Sequence, residues 1–151
     1  MGWNIELACI RSPGATIETG VPDVFGFTGQ LLGFEEATSV QRGRDLCAVQ
    51  VKDWIIVIDT MCRLSDYKPW HKEISATGEL YVFRIADAPL ELHFRDGRKQ
   101  FEHRGLEQCL QVKAREDRDG ELLAIDLLKE RTQLGFTDDL WDVRFAVFAL
   151  D

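Results

Sequence analysis

Asp59, His71, His93 and His103 are the residues of this chain whose chemistry could reach furthest. Three imidazoles around one ion would make a zinc site, and an imidazole beside a carboxylate would make a general acid–base pair. Asp59 ends the run Trp54-Ile55-Ile56-Val57-Ile58, where an enzyme built on a sheet can carry a catalytic carboxylate. His71 and Glu73 lie in or just after Tyr67-Lys68-Pro69-Trp70-His71-Lys72, a stretch read as a loop over a pocket. Together Asp59, His71 and Glu73 outline an alternative reading, a small enzyme or ligand-binding domain with a site assembled from scattered polar residues. No nucleophile elbow, Walker loop or His-Glu-x-x-His supports it. Gly26-Phe27-Thr28-Gly29 echoes a phosphate loop, but no Lys follows it. The histidines therefore read as surface or half-buried side chains, Asp59 as the first polar residue after a buried strand, and no metal or cofactor is expected. Cys9, Cys47, Cys62 and Cys109 contain no Cys-x-x-Cys pair and read as free thiols packed as small hydrophobes.

The charges are distributed unevenly. Residues 1–40 hold five carboxylates and one Arg, residues 41–104 ten carboxylates and eleven cations, and residues 105–151 eleven carboxylates and six cations. The net charge is −8. Phosphate repels such a chain, so no nucleic-acid partner is expected. This holds although His93, Arg95, Arg98, Lys99, His103 and Arg104 make one stretch locally basic around Phe94 and Phe101. The acids fall in groups: Glu35-Glu36, then Glu116, Asp117 and Asp119, then Asp138, Asp139 and Asp142. Each would cap a helix or solubilise the surface, and together they would steer a cationic protein. No segment approaches the ~18 uninterrupted apolar residues of a membrane span, and the first residues lack the features of a signal peptide. A cytoplasmic protein with no membrane partner is expected.

At 151 residues and 45% apolar composition, one packed domain is expected. Residues 3–10 alternate as a strand near an edge, and 11–20 read as a loop. Val24, Phe27, Leu31 and Leu32 share a helical face, so 22–33 reads as a helix opened by Pro22 and stopped by Gly33. Residues 45–51 and 54–60 are the strongest strands, the second apolar on both faces, with Lys52-Asp53 as a hairpin turn or bulge. A strand over 79–87 precedes a hairpin whose Asp96-Gly97 turn suits type I′. That turn pairs Arg95 with Arg98, Phe94 with Lys99, Leu92 with Phe101 and Leu90 with His103, and sets His93 and His103 on opposite faces. Leu106, Cys109 and Leu110 suggest a short helix, although residues 108–113 read equally as a strand. Residues 115–120 form a charged loop and 120–134 the best helix, stopped by Gly135. Thr137 would cap one further turn, and 144–150 alternate as a last strand. The fold class is α+β: a largely antiparallel sheet of about five to seven strands with two or three helices packed on it.

Residues 51–105 combine a Trp-led apolar strand ending in Asp59, the pair Leu64-Ser65, a further strand and an Asp-Gly hairpin. With the later Leu127-Leu128-Lys129-Glu130-Arg131-Thr132-Gln133-Leu134, this resembles several small bacterial immunity-protein families of toxin–immunity systems. The resemblance implies a non-enzymatic acidic protein that neutralises a basic bacterial toxin domain by blocking its active site. The partner-binding candidates are Glu116, Asp117, Asp119, Asp138, Asp139 and Asp142, with Trp70 as an aromatic anchor; Trp141 fits either core or interface.

Overall fold

A computed structural model describes residues 3–39, 41, 43–112 and 119–150. Eight strands form one antiparallel sheet in the order β2-β8-β3-β4-β1-β5-β6-β7. They are β1 (Ile5–Arg11), β2 (Phe25–Leu32), β3 (Leu46–Val51), β4 (Trp54–Asp59), β5 (Glu79–Ile85), β6 (Leu90–Arg95), β7 (Arg98–Arg104) and β8 (Phe145–Leu150). The helices are α1 (Ile17–Gly20), α2 (Phe34–Ala37), α3 (Lys68–Ser75), α4 (Gly105–Val112) and α5 (Gly120–Thr132), with a 3-10 turn at Leu64–Asp66 and a π turn at Phe136–Leu140. The fold is α+β as expected, with more strands and more helices than the sequence suggested. Among the described residues, no helix is long and apolar enough to cross a membrane.

The sheet buries both faces through its centre. One core gathers Ile5, Leu7, Ile56, Phe83 and Phe145 with Leu123, Leu127 and Leu128 of α5 and Phe34 of α2. The other gathers Ala8, Ile10, Val57, Val82, Leu92 and Phe148 with Leu64 and Trp70. Burying a Leu, Ile or Phe side chain contributes ~1.5–3 kcal/mol, so these paired layers dominate stability. β4 is buried along its whole length, as its unbroken apolar run requires, and joins β3 through a two-residue turn with Lys52 at φ 55°. β1 is not near an edge. It pairs with both β4 and β5, and every residue from Ile5 to Ile10 is buried. The polar positions that suggested an exposed face include Glu6, whose carboxylate is satisfied internally by Ser65 and Arg84.

The segment 22–33 is not a helix. Its core is the edge strand β2, paired with β8 from Phe25↔Leu150 to Leu32↔Phe145. The apolar spacing that imitates a helical face instead leaves Val24, Phe27 and Leu31 about half exposed. The register shifts between Phe27 and Leu31, where Gly29 takes φ +86°, a conformation that favours glycine and suits a bulge rather than a helix interior. Part of the expected loop at 11–20 is also ordered differently. Thr16 caps α1, and Thr19 reciprocates at the Thr16 amide.

The β6–β7 hairpin begins as its turn chemistry demands. Asp96 and Gly97 have φ of 54° and 75°, and Arg95↔Arg98 and Phe94↔Lys99 follow. Gln100 is then an extra residue on β7, so His93 pairs with Phe101, Leu92 with Glu102, Glu91 with His103 and Leu90 with Arg104. This bulge corrects the expected register. Phe101 and His103 now share a face with Glu91 and His93, while Lys99, Glu102 and Arg104 turn to the face of Phe94, Leu92 and Leu90.

α5 begins where expected, with the Asp119 carboxylate accepting from the Leu122 amide at 2.8 Å. Its first residue must be small, because a Cβ on Gly120 would lie 2.2 Å from the Asp87 carbonyl oxygen. The helix stops two residues earlier than predicted, with Gln133 in the left-handed region at φ 66°. Thr137 does not cap the following turn. Gly135 occupies that position, and its amide donates to Asp139 Oδ2 at 2.7 Å.

Candidate functional site

A largely apolar groove is built by segments far apart in the chain. Gly33 starts α2 and places Phe34 inward, with Glu35 and Glu36 exposed in its first turn. The π turn after α5 buries Phe136 and Leu140 and presents Trp141 at its end. Phe34 is the hub: its ring lies 5.2 Å from Phe136, 5.8 Å from Trp141, 6.1 Å from Trp3 and 6.1 Å from Phe145. Above these rings lies a groove of about 700 Å³, with Ile125 of α5 on its wall and Glu35, Thr38, Ser39 and Thr137 at its polar margins. Trp141 keeps 48% of its surface exposed, so it stands at the mouth of the groove rather than in the core.

The charge that lines this groove is acidic. Glu35 lines it, and among the described residues no cation does. Asp138 and Asp142 are exposed beside Thr137 and Trp141 in the chain. Asp139 differs from them: it holds the Gly135 amide and pairs with Lys52 Nζ at 3.2 Å. The hydrogen bond from the Gly135 amide, aided by Lys52, holds its carboxyl below the usual range. Asp139 therefore shapes the turn while its neighbours face solvent.

The other sequence candidates divide. Glu116 and Asp117 lie outside the described residues. Asp119 is exposed and caps α5 at the end opposite the π turn, ~20 Å away along thirteen residues. Trp70 is not an exposed anchor: it is 6% exposed, and its indole Nε1 donates to the Gly20 carbonyl at 3.0 Å. The supposed loop around it is the amphipathic helix α3, which turns Trp70 and His71 into the sheet. The sequence reading missed Trp3, Phe34 and Phe136 as site residues. Their only local signal was an aromatic ring immediately before or within three residues of an acid.

The alternative site does not assemble. Asp59 is fully buried and accepts from the Met61 amide at 2.9 Å, the Arg63 amide at 2.7 Å and the Arg63 guanidinium. It closes the turn after β4. His71 donates through Nε2 to the Leu64 carbonyl at 2.6 Å and stacks on Phe94 at 4.6 Å. Its burial lowers its pKa and outweighs the Leu64 carbonyl, so the ring is neutral at pH 7. Glu73 is exposed, and no hydrogen bond among the described residues links these three side chains.

On the other face, His93 donates to Glu79 at 3.1 Å and stacks on Tyr81 at 4.1 Å, with Arg11 and Arg95 on the same carboxylate. His103 and Arg131 share Glu91. These clusters lock neighbouring strands and α5 together. Among the described residues, no group of three or more His, Cys, Asp or Glu could hold a metal ion. The four thiols are free, and burial together with the nearby Glu6 and Asp59 pushes Cys62 up to about 11, far from a thiolate nucleophile at neutral pH. No protein-family model, curated protein or solved structure matches the chain.

Proposed function

We propose that this protein is a non-enzymatic acidic binding protein, an immunity protein that neutralises a basic bacterial toxin domain by blocking its active site. The observation that carries the reading is the groove around Trp141: exposed aromatic surface, lined by Glu35 and by no cation among the described residues, with Asp138 and Asp142 exposed beside it in the chain. Its occupant is a cationic segment with an apolar tip. The tip fills the space above Phe34 and Phe136, and Lys or Arg side chains reach Glu35, Asp138 and Asp142. Trp is a favoured interface hot spot, and a Trp ring also takes a guanidinium on its face.

The charge adds speed to this fit. An acidic surface steers a basic partner toward ~10⁸–10⁹ M⁻¹s⁻¹ at low salt, where unsteered association runs nearer ~10⁵–10⁶ M⁻¹s⁻¹. An inhibitor that must meet a toxin before damage is done benefits from that difference. The carboxylates would stand in for the phosphates that a nuclease or nucleotide-modifying toxin holds. A standard interface buries ~800 Å² per partner, wide enough to take in the groove together with Asp138 and Asp142. The reading places the protein in the cytoplasm, where free thiols such as Cys62 remain reduced.

The test is capture from the native host followed by reconstitution. The expected partner is one basic polypeptide that arrests growth when produced alone and is silenced by co-expression of this protein. Converting Glu35, Asp138 and Asp142 to Lys should slow association by about tenfold or more at low salt. Association that is unchanged by this triple reversal, or independent of salt, overturns the reading.

A further inference from the structure

On the opposite face of the sheet, the Gln100 bulge builds a second cavity. It aims Lys99, Glu102 and Arg104 across the surface of Leu92 and Phe94 toward α3. From the other side, Lys68 and Lys72 stand one helical turn apart on α3. The resulting cleft measures about 480 Å³, within the ~300–1,000 Å³ typical of small-molecule sites. Its lining also includes two buried polar side chains, Ser65 at 4% and His71 at 3% exposure. Both are fixed: Ser65 Oγ donates to Glu6 at 2.7 Å, and His71 is tied to Leu64. The floor is therefore rigid, and the cations stand around it.

The charges at this cleft do not cancel. Lys99 Nζ and Arg104 Nε both lie 2.7 Å from Glu102, one carboxylate between two cations. Hydrogen bonds from Arg104 and Lys99 hold Glu102 down to about 2, so it stays ionised and occupied. Among the described residues of the lining, Asp66 is the other carboxylate, against four cations. Among the described residues, neither Lys68 nor Lys72 forms a hydrogen bond or ion pair. A surplus of two positive charges thus persists on a protein whose net charge is −8. A phosphate monoester carries about −1.5 to −2 at pH 7, which matches that surplus. Lysine is a proven point-charge partner for phosphate, and Arg adds planar donors.

We infer that the cleft between α3 and the β6–β7 hairpin binds a small phosphate monoester. Lys68 and Lys72 take the phosphoryl oxygens, Arg104 supports them from the facing strand, and the organic body covers Leu92 and Phe94. The site lies on the other face of the sheet from the Trp141 groove and does not depend on it.

Adenosine monophosphate and inorganic phosphate are suitable probes, titrated into the isotopically labelled full chain while backbone amide shifts are followed. Saturable shifts of Ser65, His71, Lys72 and Gly97 are expected, with a dissociation constant at or below about 1 mM for the nucleotide. Inorganic phosphate should bind more weakly, because it leaves Leu92 and Phe94 uncovered. Binding should weaken with salt, and Lys68→Ala with Lys72→Ala should weaken it about tenfold or more, as expected when two charge-assisted contacts are lost. Trp141→Ala serves as the control and should leave it unchanged. Absence of saturable shifts, binding undiminished in the double variant, or binding of an oligonucleotide without binding of the mononucleotide overturns the inference. A thermal melt of the double variant, expected to match the parent because both lysines are exposed, separates loss of binding from loss of fold.

Discussion

The Trp141 groove and the α3 cleft lie on opposite faces of one sheet and are built by opposite rules. The groove has the exposed Trp141 ring at its mouth, Glu35 in its lining and no lining cation among the described residues. The cleft has a fixed floor of buried side chains and a cationic wall on either side. The difference lies in what supports each. Behind the cleft stands a buried polar network, in which the Glu6 carboxylate takes the Ser65 amide and hydroxyl and the Arg84 guanidinium. Behind the groove stands the aromatic packing of Phe34, Phe136 and Phe145. Broad, aromatic and unpaired surface suits a macromolecular partner, whereas a small cavity with fixed polar residues suits a small ligand.

The largest effect expected separates these two supports. Glu6→Ala removes the carboxylate from a fully buried position and strands Ser65 and Arg84, which should cost ~3–5 kcal/mol. Denaturant titration reads that loss directly. A cost under about 1 kcal/mol would show that the network does not hold the cleft floor. A smaller effect addresses the acids. Asp119→Ala should cost ~1 kcal/mol through the lost α5 cap, while partner association stays at the parental rate. Slower association would extend the interface to the far end of α5.

The smallest effect concerns pH. Burial lowers the pKa of both His71 and His93, and it outweighs the Leu64 carbonyl at one and Glu79 at the other. A group whose folded pKa is depressed gives stability that is present above its unfolded value near 6.5 and lost as pH falls toward the folded value. Stability should therefore decline as pH drops below about 6.5, and His71→Gln should flatten that decline. The Glu79 carboxyl is also held low, because hydrogen bonds from Arg11, Arg95 and His93 outweigh its burial; its contribution is lost only below about pH 4.5. Stability that rises on acidification from neutrality would contradict the neutral, buried imidazole at His71.

Much of the architecture could be read in advance where local chemistry decides it. The two-residue turn at Asp96-Gly97, the fully buried run at β4, the Asp119-to-Gln133 helix and the alternating last strand each carry their own signal. The errors arose where distant partners decide. β2 has no strand alternation because it is an edge with a bulge, and its glycines and apolar spacing imitate a loosely packed helix. The Gln100 bulge follows two correctly paired positions, and nothing in the hairpin announces it. Its reward comes from Phe101, which meets His93 at 5.2 Å and the Arg131 guanidinium of α5 at 4.9 Å. The acids of the groove were visible as charges. The rings that give them a purpose come from Trp3, Phe34, Phe136 and Trp141, and only the fold brings these together.

The most direct test of the account is a calorimetric titration of the captured basic partner into the Trp141→Ala and the Lys68→Ala/Lys72→Ala proteins, side by side. The Trp141 variant should lose about 30-fold in affinity or more, roughly 2 kcal/mol, while the lysine variant stays within about twofold of the parent. Parental affinity in the Trp141 variant, or a loss confined to the lysine variant, would contradict the assignment of the groove as the docking site.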